Sequence, residues 1–291
     1  MHPTLRLILA SSIVLAFLAN GNVCAADKIP VTASFSILGD LVRVVGGDRV
    51  TLTTLVGPDE DAHAFEPKPA DAKVILHTKL WVTNGLGFEP WADKLAKSAS
   101  YKGATVVTSM GVKARASDPH AWQNPNNVVI YVRNIAASLT QVDASGAVTY
   151  QANADAYVKE LQSMDAWAIE QFAAIPLNKR KVITSHDAFG YFAAHYKIKF
   201  LAPQGMNTEA EPSAKQVAQL IRQIKTEKIR AVFVENMQNP KLMAQLSQDA
   251  GATVGASLYS DALSTTDKPG ATYLQMMRHN VTQLAAGMKL N

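Results

Sequence analysis

The sequence predicts an α/β protein built as two lobes joined by one long helix, and three observations predict it. Short β-branched runs at 50–56, 104–108, 181–184 and 252–259 are separated by helical patterns, the alternation of parallel α/β proteins. Strand signals vanish between Pro125 and Ile175, where residues 147–172 offer about seven helical turns with no Pro or Gly inside. Beyond Pro176, which stops that helix, strands and helices alternate again. A single continuous α/β domain is the alternative that the same alternation allows.

Each element has its own signal. Residues 31–37 read as a first strand, followed by a helical pattern over 37–45 that Gly46-Gly47 ends. After the strand at 50–56 come a helix over 68–77, a strand over 80–83 and a helix over 90–98 with Pro near its start. In the second half 182–183, 198–200 and 231–234 read as strands and 213–226 as a helix, for which Ser213 and Gln216 form a capping box. The expected division is a first lobe over 26–142, a linking helix over 143–176 and a second lobe over 177–291. No internal repeat or low-complexity segment is evident in the sequence.

Composition excludes several classes. With 48% hydrophobic and 18% charged residues, the chain has enough apolar material for a core in each lobe. A net charge of +4 with scattered basic residues and no interleaved aromatics is not a nucleic-acid footprint. No phosphate-cradling Gly-x-x-x-x-Gly-Lys motif is present.

At the N-terminus, Arg6 precedes an apolar stretch over 7–19, and Val23-Cys24-Ala25 brings small residues to cleavage spacing before Ala26. Residues 1–25 are therefore expected to be a cleavable signal peptide, which puts the mature protein in the periplasm. As a membrane anchor the stretch falls short of about 20 apolar residues and is interrupted by Ser11 and Ser12. Cys24 is the only cysteine, and Val23 is not the small residue that normally precedes a lipidated one. Cleavage after Ala25 leaves no thiol, so disulfides and cysteine-bound zinc are excluded and any metal must be held by nitrogen and oxygen.

His63, His120 and His186 each lie in a polar loop just beyond a β-branched run, and Asp261 lies in a fourth such place. In open α/β sheets the loops after the carboxyl ends of strands line the ligand crevice, so residues far apart in sequence can meet there. Imidazole and carboxylate are the side chains that bind a borderline divalent cation without thiolates. His77, His195 and His279 sit inside helical patterns and are not assigned to the site. Glu66, Asp118, Asp187, Glu209 and Glu235 are candidates to hold the imidazoles from behind, although surface and cap roles suit each equally well. Trp122, Phe189, Tyr191 and Phe192 flank the histidines and are candidates to wall off a dry pocket that strengthens coordination, with core packing the commoner role for such residues.

The segments Asp61-Ala-His-Ala-Phe-Glu-Pro67, Asp118-Pro-His-Ala-Trp122, Thr184-Ser-His-Asp-Ala-Phe-Gly-Tyr-Phe192, Glu211-Pro-Ser213, Val232-Phe-Val-Glu235 and Leu258-Tyr-Ser-Asp261 resemble, in order and spacing, the zinc/manganese solute-binding proteins of bacterial ABC importers, the cluster A-I family. The resemblance runs from about Ile29 to the C-terminus. It implies two α/β lobes bridged by a rigid helix, one metal buried between them, and His63, His120, His186 and Asp261 at the four ligand positions. It also implies delivery of the ion to a permease in the inner membrane by a monomer that is not an enzyme.

Three imidazoles and one carboxylate suit four-coordinate Zn2+, whereas manganese prefers more oxygen. Manganese-type members commonly carry a carboxylate where this chain has His186. Many zinc members carry a His-rich loop before the second histidine, yet residues 108–118 contain none, which keeps Mn2+ or a broader specificity open. The rival from another class is a secreted zinc hydrolase. It lacks support, because the chain has no His-Glu-x-x-His and four protein ligands would close the sphere to water.

Overall fold

The computed structural model describes residues 27–291, so the expected signal peptide over 1–25 lies outside the described residues. β1 (Ile29–Phe35) is paired on both sides, and its last five residues are buried on both faces, as in a parallel sheet covered by helices. α1 (Ser36–Gly46) follows at once and ends at Gly47, whose φ of +52° suits glycine and closes the helix where Gly46-Gly47 predicts a stop. β2 (Val50–Val56), α2 (Pro69–His77), β3 (Leu80–Thr83), α3 (Ala92–Ser98) and β4 (Ala104–Val107) complete a four-stranded parallel sheet of order β2-β1-β3-β4.

α4 (Pro125–Val142), capped by the Asn124 side chain, packs against α5 (Ala147–Ala173), a 27-residue helix about 40 Å long. The buried positions of α5, from Tyr150 through Tyr157, Leu161 and Met164 to Phe172, form one stripe at helical spacing. In its C-terminal half Asp165 accepts a hydrogen bond from the Tyr196 hydroxyl at 2.7 Å and pairs with His195 Nε2 at 2.7 Å. These contacts anchor the linking helix to the second lobe.

The second lobe repeats the topology of the first. β5 (Lys181–Ile183), α6 (Gly190–Tyr196), β6 (Lys199–Leu201), α7 (Ala214–Glu227), β7 (Ala231–Val232), α8 (Lys241–Ala250) and β8 (Thr253–Val254) form a parallel sheet of order β6-β5-β7-β8. α7 begins at Ser213 with the predicted capping box to Gln216. The strand expected over 252–259 is shorter than its composition predicts. Only Thr253 and Val254 join the ladder, and pairing resumes as an isolated bridge between Glu235 and Leu258. Gly255 marks the break: a Cβ there would lie 2.7 Å from a Phe233 ring carbon, so the chain passes this side chain only as glycine and then swings outward.

α9 (Tyr273–Lys289) returns to pack against β5, β7, α1 and α5. The main hydrophobic core consequently runs from the first lobe through α4, α5 and α9 into one face of the second sheet. The other face of that sheet has a separate small core, in which Leu220 and Ile224 of α7 meet Met243 and Leu246 of α8. No helix among the described residues is long and apolar enough to cross a membrane.

Candidate metal centre

The carboxyl ends of the two sheets meet, and the segment after β8 is gripped from both lobes. In the first lobe Trp122 Nε1 and Gln123 Nε2 both donate to the Ser260 carbonyl, at 2.8 and 2.7 Å. Leu263 N–H donates to Ser36 Oγ and Tyr273 N–H to Asp40 Oδ2. Within the second lobe the Asn280 side chain donates to the Tyr259 carbonyl and accepts its N–H. Asp261 is thereby fixed at the seam, fully buried.

Three loops bring the histidines to it. His63 follows β2, in a turn where Asp61 Oδ1 accepts its N–H at 2.9 Å and Trp91 Nε1 donates to the Ala62 carbonyl. His120 follows β4, and His186 follows β5. The four side chains offer ligand atoms that all lie within 4.8 Å of one another. His63 Nε2 is 3.2 Å from His120 Nε2 and 3.4 Å from Asp261 Oδ2. His120 Nε2 is 3.6 Å from Asp261 Oδ1, and His186 Nε2 is 3.0 Å from Asp261 Oδ2. Metal bonds of about 2.0–2.2 Å arranged tetrahedrally would separate the ligand atoms by about 3.4 Å, so these spacings match one small cation at the centre.

The electrostatics agree with that reading. Both Asp261 oxygens are buried with no hydrogen-bond partner, a costly state for a carboxylate unless a cation compensates it. Burial would raise the Asp261 pKa, but His186 and His120 outweigh it and hold the group well below the usual carboxylate range. For His186 burial works downward, and the Glu235 and Asp261 carboxylates more than reverse it, lifting the imidazole well above its ordinary value. Its ring nitrogens lie 2.5 Å from Glu235 Oε2 and 3.0 Å from Asp261 Oδ2, yet neither contact is aligned as a hydrogen bond. The close charges therefore act on it mainly through space.

Two of the five carboxylates considered from sequence stand behind the imidazoles. Asp118 Oδ1 is 2.9 Å from His120 Nδ1 and accepts the His120 N–H at 3.0 Å. Glu235 faces His186 Nδ1, accepts the His186 N–H at 2.9 Å and takes the Ser260 hydroxyl at 2.6 Å. Each leaves the Nε2 of its histidine turned toward the cluster. Glu66, Asp187 and Glu209 are exposed and take no such position.

Several supports escape sequence reasoning. Glu89, buried at the turn after β3, accepts the Ser34 hydroxyl and the Asn84 N–H, and burial raises its pKa. Asn84 in turn donates to the Pro119 carbonyl at 2.9 Å, which steadies the His120 loop. Phe88 packs edge-on to His63 with ring centroids 4.6 Å apart; of the four aromatics considered from sequence, Trp122 packs similarly against His120 at 5.3 Å. Phe189 instead stacks on Phe200, and Phe192 joins Phe172 and Tyr196 in the core. Asn84-Gly85 after a strand marks a turn in sequence, but nothing local aims its side chain at a loop 35 residues onward.

Comparison with known proteins gives the chain as a whole its relatives. Residues 31–287 match the family described as Zinc-uptake complex component A, periplasmic. The chain is 31% identical over 267 residues to the manganese-binding lipoprotein MntA of Halalkalibacterium halodurans, covering 90% of this chain and 89% of that protein. It is 32% identical to the iron ABC transporter substrate-binding lipoprotein MtsA of Streptococcus pyogenes, covering 90% of each. Among solved structures, a manganese-bound periplasmic metal-binding protein of Candidatus Liberibacter asiaticus superposes with a TM-score of 0.82 at 28% identity, over 90% of this chain and all of that one.

Proposed function

The chain belongs to the zinc-uptake complex component A family, the extracytoplasmic substrate-binding proteins of metal ABC importers, and from that premise we propose that it holds one divalent cation between its lobes with His63, His120, His186 and Asp261. It is a binding component and not an enzyme. The ion is its cargo, taken up outside the cytoplasm and handed to a membrane permease. The observation that carries the ligand assignment is the buried Asp261 carboxylate, whose two oxygens lack hydrogen bonds and face three imidazole Nε2 atoms.

Zinc is the ion proposed to bind most tightly. Three nitrogens and a carboxylate suit its tetrahedral preference, and divalent affinities at nitrogen-rich sites rise from manganese toward zinc. A second reading, manganese as the ion carried in the cell, is favoured by Asp261 presenting both oxygens, which allows three nitrogens and two oxygens around the ion. The manganese-binding relative supports it as well. Elemental analysis of protein purified without added metal should find one transition-metal ion per chain. In competition titrations on the demetallated protein zinc should outcompete manganese, and His186→Glu should lose more zinc affinity than manganese affinity. Equal or tighter manganese binding by the parent would discard the zinc assignment and leave the importer role standing.

The proposed mature protein is a periplasmic monomer that begins after cleavage at Ala25, with the lobes divided at 26–142 and 177–291 about a linking segment over 143–176 that contains α5. The curated relatives are lipoproteins, so a lipid on Cys24 is the rival N-terminus. The intact mass of the exported chain distinguishes the two.

A further inference from the structure

The loop that carries His120 and the loop that carries His186 touch each other directly, outside the ligand cluster. In the first lobe, residues 115–118 form a tight turn in which Asp118 N–H donates to the Arg115 carbonyl at 2.8 Å and Ala116 takes a left-handed φ of +45°. That turn leans on the second lobe. Arg115 N–H donates to the Tyr191 hydroxyl at 3.0 Å, its guanidinium lies 5.7 Å from the Tyr191 ring centroid, and the Ser117 hydroxyl reaches Met206 Sδ at 3.6 Å.

The same turn also faces Gly190, the first residue of α6. A Cβ built there would lie 2.2 Å from Asp118 Oδ2 and 3.4 Å from Arg115 Nε. Gly190 is not in the left-handed region, so its backbone would accept alanine; the missing atom matters for space alone. Nor can Asp118 move aside freely. Its other oxygen accepts the His120 N–H and faces His120 Nδ1 at 2.9 Å, and the residue is only 3% exposed.

We propose that Gly190 is a positioning residue for metal binding: the bare α-carbon of the second lobe receives the Asp118 carboxylate of the first, so that seating the lobes and orienting the His120 imidazole are one event. A lobe that stands off leaves Asp118 unsupported on that side. A lobe that closes presses the carboxylate onto His120 Nδ1 and turns Nε2 to the cluster. This inference rests on the ligand assignment proposed above.

Calorimetric titration of the demetallated full chain with zinc tests it through a double-mutant cycle. Gly190→Ala should weaken zinc binding by about tenfold to a hundredfold, the range found when a partner behind a metal-bound imidazole is disturbed. Asp118→Ala should cost a similar factor. In the Asp118→Ala background the added methyl has room, so Gly190→Ala should then cost less than about twofold, a non-additivity expected only of groups in contact. Parental affinity in Gly190→Ala, or a full tenfold further loss in the double variant, overturns the proposal. Should Gly190→Ala not fold, Tyr191→Phe loosens the same clasp without adding an atom: faster zinc release supports the coupling and unchanged release overturns it. A parent that binds no metal would instead refute the ligand assignment itself.

Discussion

Asp261→Ala is expected to cause the largest loss of metal affinity of any single substitution, more than about a hundredfold. Disturbing a group behind an imidazole typically costs tenfold to a hundredfold, and losing the carboxylate ligand itself should exceed that. Asp261 is also the one anionic member of the four, and both of its oxygens face the cluster. One effect opposes the loss. Without Asp261 the His186 imidazole is less strongly protonated, so the ion competes with fewer protons. A carboxylate bond to a divalent cation outweighs that relief, because Glu235 still faces His186 Nδ1 at 2.5 Å and keeps part of the upward shift.

The demetallated variant should nonetheless fold. Asp261 takes no hydrogen bond, so its removal leaves no buried donor unpaired, and His186, deprived of one of its two carboxylates, can give up its proton rather than stay charged. The melting temperature of the demetallated variant should stay within about 5 °C of the parent, and the upward shift that saturating zinc gives the parent should vanish. His63→Ala, His120→Ala and His186→Ala should each lose at least about tenfold by the same titration. Parental affinity in Asp261→Ala would strike that residue from the site.

The architecture was legible because its signals are local. Gly46-Gly47 and Pro176 punctuate helices where residue chemistry demands it, and the Pro- and Gly-free run over 147–172 corresponds to α5 within one residue. The four residues that converge were also readable, since each follows a β-branched run and strand ends share one edge of a parallel sheet. What could not be read depends on direction. Asp118 and Glu235 resembled Glu66, Asp187 and Glu209 in the sequence, and only the tertiary path decides which carboxylate meets an imidazole. Glu89 and Asn84 act across 35 residues or more of chain, so no local pattern announces them. The strand over 252–259 was overextended because β-branched composition cannot register the Phe233 ring that Gly255 must pass. The matching strand orders of the two lobes were invisible for a related reason: topology repeats where sequence does not.

The pH dependence of binding should be set chiefly by His186 near neutrality. Its Nε2 must be free of a proton to coordinate, and in the demetallated protein Glu235 and Asp261 hold that imidazole well above an ordinary value of about 6.5. His186 thus holds its proton to higher pH than a free imidazole does, and metal capture should release that proton. The sign follows directly. Affinity should rise with pH through neutrality, by as much as tenfold per unit, and level off only above the raised pKa. The same proton stabilises the demetallated fold: a raised folded pKa contributes stability that is complete below the unfolded value and lost as pH climbs through the folded one. Zinc should therefore lift the melting temperature more at pH 8 than at pH 6, because the free protein has lost that support while the bound form never used it. Titrations in buffers of different ionisation enthalpy count the protons, and Glu235→Gln, which removes one of the two charges acting on His186, should move the whole window to lower pH. Affinity independent of pH between 6 and 8, with no proton release, would mean that His186 does not bind the ion.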